Sequence, residues 1–337
     1  IIDLRECIIY QNVEYEYWKN KRKSYDDEAY IIFTSGTTGD PKGVVITHRA
    51  AINTIIDVNK KYKINENDVF LGLANLSFDL SVYDIFGSFL AGGTLVLPDS
   101  KTLKDPNIIY NQMLLYRVSV WNSVPAQMQL ITNFLAMSKN LRRSEFLRTI
   151  ILSGDWIPID LPEKIYSEFP NAQVISMGGA TEASIWSIYH VVSKQETFLN
   201  SVPYGTPLAN QKFYILNEAM EDCPDYVVGS LYISGTGLSV GYLNDEKLNA
   251  EKFKTLGNDG ERIYRTGDIG YYLPNGDIIF CGREDGDSQI KIHGHRIELS
   301  EIKSALLENK DIDSAEVFTI DVDSFCLLYT SPSPRDS

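Results

Sequence analysis

From Tyr30 onward, short apolar runs alternate with helix-periodic stretches, and this alternation restricts the fold more than any other feature of the chain. Residues 30–33, 43–46, 69–73, 94–97, 149–152 and 173–177 read as strands. Between them Ala51, Ile52, Ile55 and Ile56 recur at helical spacing behind a Thr47 cap, and Leu80, Tyr83, Phe86, Phe89 and Leu90 do the same. Strands alternating with helices predict an α/β fold. After about Lys212 the texture changes to strands joined by tight turns, with Pro274, Asn275, Gly276 and Asp277 linking strands 269–273 and 278–281, an antiparallel appendage. A polar cluster at 284–288 then precedes a strand (289–293), a helix (300–307) and a strand (315–320). That sets a boundary near Asp285 and a last piece too short to bury its own core.

Composition narrows the function classes. The 337 residues are 44% hydrophobic and 23% charged, which supports a packed core and excludes disorder and collagen. No apolar run reaches the roughly 18 to 20 residues of a membrane span, and the first ten residues carry charges where a signal peptide would be apolar. A cytoplasmic location is expected, with no membrane partner. Lys plus Arg at 31 against Asp plus Glu at 45 gives a net charge of −14, which repels nucleic-acid backbones. Any bound polyphosphate must therefore be held by local donors. Cys7, Cys223, Cys281 and Cys326 lie far apart with no C-x-x-C pair, against both a disulfide framework and a zinc site.

One segment supplies such donors. In Thr34, Ser35, Gly36, Thr37, Thr38, Gly39, Asp40, Pro41, Lys42 and Gly43, three glycines let backbone N–H groups turn toward an anion, four hydroxyls add neutral donors, and Lys42 adds charge. Pro41 and the β-branched run after Gly43 distinguish it from a Walker loop. A polar turn between two strands is the plain alternative. Gly235 to Gly241 comes close to G-x-G-x-x-G after a strand, with one residue too many before its last glycine, but Gly241, Tyr242 and Asn244 interrupt the helix that should follow, so it reads as a glycine-rich turn. His293 and His295 would share one face of a strand, yet no third ligand accompanies them, and they read as surface or packing residues. Asp79 heads a helical pattern and reads first as an N-cap, with a carboxylate at a pocket floor as the functional alternative. Gly178, Gly179, Ala180, Thr181 and Glu182 follow a strand, where open α/β sheets present ligand loops, with Thr181 available to a phosphate and Glu182 to magnesium; a glycine turn with a solvated glutamate accounts for them equally well.

Taken in order, these pieces resemble the adenylate-forming enzymes, and among them the adenylation domains of nonribosomal peptide synthetases. The resemblance runs from about Tyr30 to Ile320. It rests on Tyr30 to Gly39 with Pro41, Lys42 and Gly43, on Phe78 and Asp79, on Gly179 to Glu182, on Tyr264, Arg265, Thr266, Gly267 and Asp268, on Gly282 and Arg283, and on Gln289, Ile290 and Lys291. It implies a large AMP-binding core of stacked sheets flanked by helices over 30–284, a small α+β lid over 285–326 hinged at Asp285, an N-terminal remnant at 1–29 and a non-native tail at 327–337.

By the same resemblance, the segment from Thr34 to Lys42 holds the β- and γ-phosphates of ATP. Gly178, Gly179 and Ala180 approach the nucleotide, Thr181 touches the α-phosphate and Glu182 holds magnesium. Asp268 binds the ribose hydroxyls beside Arg283, and Phe280 covers adenine. Asp79 now pairs with the α-ammonium group of an amino acid. Leu80, Tyr83, Asn122, Ile151, Ser153, Met177, Ile185 and Trp186 complete its side-chain pocket, a set similar to that of cysteine-selecting domains, with serine the nearest competitor. The implied reaction joins the amino acid to AMP, expels pyrophosphate, and loads a carrier-protein phosphopantetheine thiol beside a condensation or heterocyclisation domain. Lys42, Thr181 and Glu182 carry the catalytic roles.

The chain departs from the family in three places. Only residues 1–29 precede the phosphate segment, where the family has a subdomain. The family's C-terminal lysine would lie beyond the last residue, and Gly286, Asp287 and Ser288 lengthen the hinge. A fragment with impaired activity is expected on these grounds. The rival readings are an inactive remnant, a nucleotide-binding scaffold and, more distantly, a dinucleotide oxidoreductase.

Overall fold

The computed structural model describes residues 24–34, 41–99, 105–138, 140–198, 201–257, 259–284, 289–292 and 295–298, with single positions 302, 306 and 317 beyond them. Strands β1 (Glu28–Thr34) and β2 (Lys42–Thr47) pair antiparallel with Thr34 opposite Lys42. The two ends of the donor-rich segment therefore meet; residues 35–40 lie outside the described residues. Thr47 ends the hairpin and starts α1 (His48–Lys61), its hydroxyl accepting the Ala50 N–H at 3.2 Å. This is the predicted cap, and it satisfies a helix N–H that has no partner within the helix. Ala50, Ala51, Thr54, Ile55 and Val58 form the buried face, while Ile56, grouped with them by spacing, faces solvent.

The main sheet has seven strands in the order β4 (Thr94–Val96), β3 (Val69–Leu71), β5 (Val120–Ser123), β6 (Thr149–Leu152), β7 (Gln173–Gly178), β8 (Ile188–Val192) and β9 (Thr206–Pro207). The first five are parallel, and β8 and β9 run antiparallel at one edge. Every residue of β5 and β6 is buried, the expected state of a central parallel strand covered on both faces. The pleat divides them by parity. Trp121, Ile150, Leu152 and Val174 join Met113, Ile131, Leu135 and Ile165, the last four contributed by α4 (Pro106–Leu115), α5 (Pro125–Met137) and α6 (Leu161–Glu168). Val120, Ile151, Ile175 and Met177 face the other way, against Ile55 and Val58 of α1.

The second helical pattern departs from expectation. Helix α2 (Leu80–Val82) opens into a π-turn at Tyr83–Gly87 before α3 (Ser88–Leu90). The wider turn inserts a residue and rotates everything after it. Leu80 and Tyr83 are buried as predicted, but Phe86, Phe89 and Leu90 point outward, and Asp84 and Ser88 turn in.

The antiparallel appendage is as predicted: β10 (Gln211–Leu216), β11 (Gly229–Gly235), β14 (Glu261–Tyr272) and β13 (Phe253–Leu256) lie in that order, with β15 (Ile278–Arg283) returning onto β14 through the Pro274 to Asp277 turn. The glycine-rich stretch leaves β11 at Gly235 and enters β12 (Gly241–Tyr242), which extends the β1–β2 hairpin; no helix follows Gly241 directly, and α7 (Glu246–Lys252) starts later. The predicted strand at 289–293 is present as β16 (Gln289–Ile292), and it pairs antiparallel with a strand that was not predicted, β17 (His295–Glu298), with Ile292 opposite His295. His295 opens the second of these strands, and the expectation that it shares a face with His293 falls on a residue outside the described ones. His293, Asp285, most of the predicted helix 300–307, most of the strand 315–320 and the tail lie outside the described residues. No helix among the described residues is long and apolar enough to cross a membrane.

The amino ends of three sheet strands are tied by one carboxylate. Asp68, just before β3, accepts from Ser119 Oγ at 2.7 Å, from the Asn65 N–H at 2.9 Å, and from Arg148 Nε and Nη2 at 2.8 and 2.5 Å. Ser119 precedes β5 and Arg148 precedes β6. Burial pulls the Asp68 pKa up, but Arg148, Ser119 and the backbone together hold it below the ordinary carboxylate value. Its stabilising contribution is therefore present above the unfolded pKa of about 3.9 and is lost as pH falls through the lower folded value. Arg148→Met should cost about 2 to 4 kcal/mol at neutral pH, somewhat below a fully buried pair because Arg148 is 37% exposed. Urea titrations should show the deficit shrinking as pH drops toward 3; a pH-independent deficit would point to lost packing instead.

Candidate functional site

The carboxyl ends of parallel strands are where open α/β sheets present ligand loops, at the point where the chain crosses from one side of its starting strand to the other. Here β3 leads to β4 on one side, and the chain then returns to β5 on the other. Asp79 follows β3 and Asn122 lies on β5, so they flank that crossing. Asp79 already has helical angles (φ −64°, ψ −24°) and makes no capping bond. A cap needs an extended backbone, so the capping role expected first is not what Asp79 does. Its Oδ2 instead accepts a hydrogen bond from Thr181 Oγ1 at 2.8 Å.

Thr181 belongs to the loop after β7, whose glycines have steric reasons. A Cβ on Gly178 would lie 1.7 Å from the Tyr204 ring, and Gly179 has φ +148° with only 2.8 Å from a would-be Cβ to the Ser187 nitrogen. The Gly179 N–H donates to Tyr204 Oη at 2.8 Å. Tyr204 packs on Phe280 at 5.6 Å between ring centroids, and Phe280 on Trp156 at 4.8 Å. Burial raises the Tyr204 phenol pKa, and the nearby Asp268 carboxylate raises it further. Asp268 and Arg283 stand opposite each other on β14 and β15, with Arg283 Nη1 donating to Asp268 Oδ1 at 2.7 Å and to Thr266 O at 2.9 Å. Tyr204 is the link that joins the glycine loop to the Phe280, Asp268 and Arg283 group.

Glu182 is only 1% exposed and sits in a 3₁₀ turn (Thr181–Ala183), so the solvated-glutamate alternative fails. Ser184 and Ile185 follow at φ +62° and +71°, a left-handed conformation that a β-branched residue adopts only when its surroundings impose it. Tyr242 Oη donates to Glu182 Oε1 at 2.7 Å and lies 3.3 Å from Tyr264 Oη. Burial, and then the Glu182 carboxylate, drive the Tyr242 pKa far up, so it acts as a fixed donor. Tyr242 pairs with Val44 on β2, and the Leu243 N–H donates to Gly43 O at 2.8 Å. Glu182 is thereby tied to the strand that begins at Lys42. Among the described residues no three His, Cys, Asp or Glu side chains gather as a metal cage. Glu182 fits magnesium in the way that cation prefers, one or two carboxylates with phosphate oxygens and water completing the shell.

The predicted side-chain pocket is also brought together. Leu80, Tyr83, Ile151, Met177, Ile185 and Trp186 share one buried cluster, with the Tyr83 and Trp186 rings 4.9 Å apart. Asn122 lies opposite Ile151 on the neighbouring strand, and Ser153 follows β6 with the same parity. A shallow depression of about 530 Å³ near Ile56, Lys60 and Leu90 includes none of the predicted site residues. Tyr204, Trp156, Tyr242 and Asp84 were not expected from the sequence. No local pattern marks the first three, since each acts across strands distant in sequence. Asp84 carried a signal, an acid four residues into an apolar helical run.

Asp84 is 2% exposed, and burial pushes its pKa up to about 8 against the opposing hydrogen bonds from Asn122 and the Ala74 backbone. A folded value above the unfolded one, about 3.9, means that the folded state holds the extra proton. Stability is then greatest below about pH 4 and falls as pH rises through 8. Relative to wild type, Asp84→Asn should gain about 1 kcal/mol for each pH unit between 5 and 8 in urea unfolding. A constant difference across that window would show that the carboxyl does not titrate there.

Residues 5–243 match the model of the AMP-binding enzyme family, and the chain belongs to that family. Within it the similarity is to peptide-synthetase adenylation domains. The chain is 46% identical over 290 residues to pyochelin synthetase PchF of Pseudomonas aeruginosa, covering 86% of this chain and 16% of PchF. It therefore spans about a sixth of that relative. Among solved structures it resembles the nonribosomal peptide synthetase FmoA3 bound to α-methyl-L-serine-AMP, with a TM-score of 0.73 and 40% identity over 78% of this chain and 29% of that one. It also resembles holo-PA1221, a nonribosomal peptide synthetase protein containing adenylation and carrier domains, with a TM-score of 0.81 and 25% identity over 90% and 52%.

Proposed function

We propose that this chain carries the amino-acid adenylation site of a nonribosomal peptide synthetase, and that its substrate is L-cysteine. The observation that supports this best is the 2.8 Å bond between Asp79 and Thr181. It sets the carboxylate assigned to the substrate ammonium one hydrogen bond from the hydroxyl assigned to the α-phosphate. The FmoA3 complex with an aminoacyl adenylate supports an amino acid as the class, and PA1221 supports a carrier domain as the acceptor.

In this reading a carboxylate oxygen of the amino acid attacks the α-phosphorus, the bond to the β-phosphate oxygen breaks, and pyrophosphate leaves. The segment from Thr34 to Lys42 accepts the leaving charge, Gly178, Gly179 and Ala180 let the nucleotide approach closely, and Thr181 orients the α-phosphate. Glu182 would hold a magnesium ion, which would supply neutralising charge to the phosphates. Asp268 with Arg283 binds the ribose, and Phe280, backed by Trp156 and Tyr204, covers the base. Asp79 pairs with the ammonium, which is why a free amine is required. The adenylate then passes to a phosphopantetheine thiol after the C-terminal piece turns about Asp285.

Pyrophosphate exchange across a panel of amino acids in the full-length protein tests the reading, with cysteine expected to give the highest kcat/KM and serine next. Asp79→Ala should lose about 2 to 5 kcal/mol of transition-state binding. Exchange driven by acids lacking an α-amine, and not by amino acids, would overturn the Asp79 role. Lys42→Ala should raise the KM for ATP more than that for the amino acid; the reverse pattern would remove Lys42 from the phosphate site.

A further inference from the structure

Asn122 has two amide hydrogens and both are spoken for: Nδ2 donates to Asp84 Oδ1 at 2.8 Å and to the Leu80 carbonyl at 3.3 Å. With the donors fixed, the amide plane turns Oδ1 to the side away from these acceptors. That oxygen is buried without a hydrogen-bond partner, as is Ser153 Oγ. A buried acceptor left unmet costs far more than a met one, and a polar network half satisfied in a core needs a reason. The reason is not the fold alone. A leucine at 122 would fill nearly the same space on β5 without an orphaned atom.

We propose that Asp84 is a positioning residue for substrate choice: it pins the Asn122 amide so that Oδ1 accepts a hydrogen bond from the substrate's side chain, selecting a small side chain ending in –SH or –OH over its methyl isostere. The inference rests on the amino-acid reading above and refines it. The surrounding wall supports the size limit, since Tyr83, Met177 and Trp186 are all buried in the same cluster. Asp84 lies behind the wall and touches the site through Asn122, and its burial keeps it largely uncharged at neutral pH, so it orients the amide without attracting a cation. Were the pair only a tie between the π-turn and β5, the chemistry of the substrate's terminal atom would be indifferent to it.

Pyrophosphate exchange in the full-length protein with cysteine, serine and 2-aminobutyrate, which differ in that terminal group, decides the matter. Wild type should favour the better of the two donors over 2-aminobutyrate by about tenfold or more in kcat/KM, because the methyl leaves the acceptor unmet. Asp84→Leu should collapse that ratio toward one with the KM for ATP unchanged, while Asp84→Asn, which still offers an acceptor to Asn122, should keep it. Asn122→Leu, an independent variant, should turn the preference toward 2-aminobutyrate. Equal use of 2-aminobutyrate by wild type, or an unchanged ratio in Asp84→Leu, would overturn the proposal. The amines are separated by 3-mercaptopropionate and butyrate: a thiol preference that appears only with these deaminated acids would sink the Asp79 reading and leave the Asn122 acceptor standing.

Discussion

The hydrogen bond between Thr181 and Asp79 joins two loops 102 residues apart in sequence, one after β7 and one after β3, with two strands between them in the sheet. A sheet by itself fixes only strand spacing and direction. What converts strand ends into a site is a set of side-chain contacts that bend neighbouring loops toward one another. Tyr204 does this on one side by receiving the Gly179 N–H and packing on Phe280, and Tyr242 does it on the other by donating to Glu182. Each of these contacts needs a small or unusual backbone beside it, which is why Gly178 and Gly179 leave no room for a Cβ and Ile185 is forced left-handed.

Charge explains the composition of those links. The chain carries a net −14, so a polyanion gains nothing from its overall field and must be met by local donors. The acids near the site are correspondingly engaged by neighbours. Asp268 is met by Arg283, Glu182 by Tyr242, and Asp84 by Asn122, with burial pushing the Asp84 pKa up. Beside Glu182 the Tyr242 hydroxyl is a neutral donor that orients the carboxylate without adding charge.

Much of this was legible in the sequence where a local rule decides the outcome. Thr47 caps α1 as its position before an apolar helical run predicts, Thr149–Leu152 is a strand with the expected bounds, and the Pro274 to Asp277 turn closes the expected hairpin. The side-chain pocket residues came from a family resemblance, and six of them lie in one buried cluster. What the sequence hid depends on register or on distant partners. Asp84 and Ser88, four and eight residues on from Leu80, take the inner face while Phe86 and Phe89 point out, so grouping this stretch by apolar character alone assigns the wrong face after Tyr83. Asp79 misreads as a cap because its partner, Thr181, arrives from far along the chain. The second strand of the late hairpin, His295–Glu298, is likewise missed when the strand pattern is read only as far as residue 293.

The Asp68 clamp lies at the amino ends of β3, β5 and β6, at the other end of these strands from Asp79, Asn122 and Ser153. The fastening of the strands and the candidate site are thus housed at opposite rims of the same layer. A lineage could vary residues at the carboxyl ends of these strands while the fastening that keeps the strands aligned stays out of reach of those changes. Engineering of the pocket inherits the same latitude.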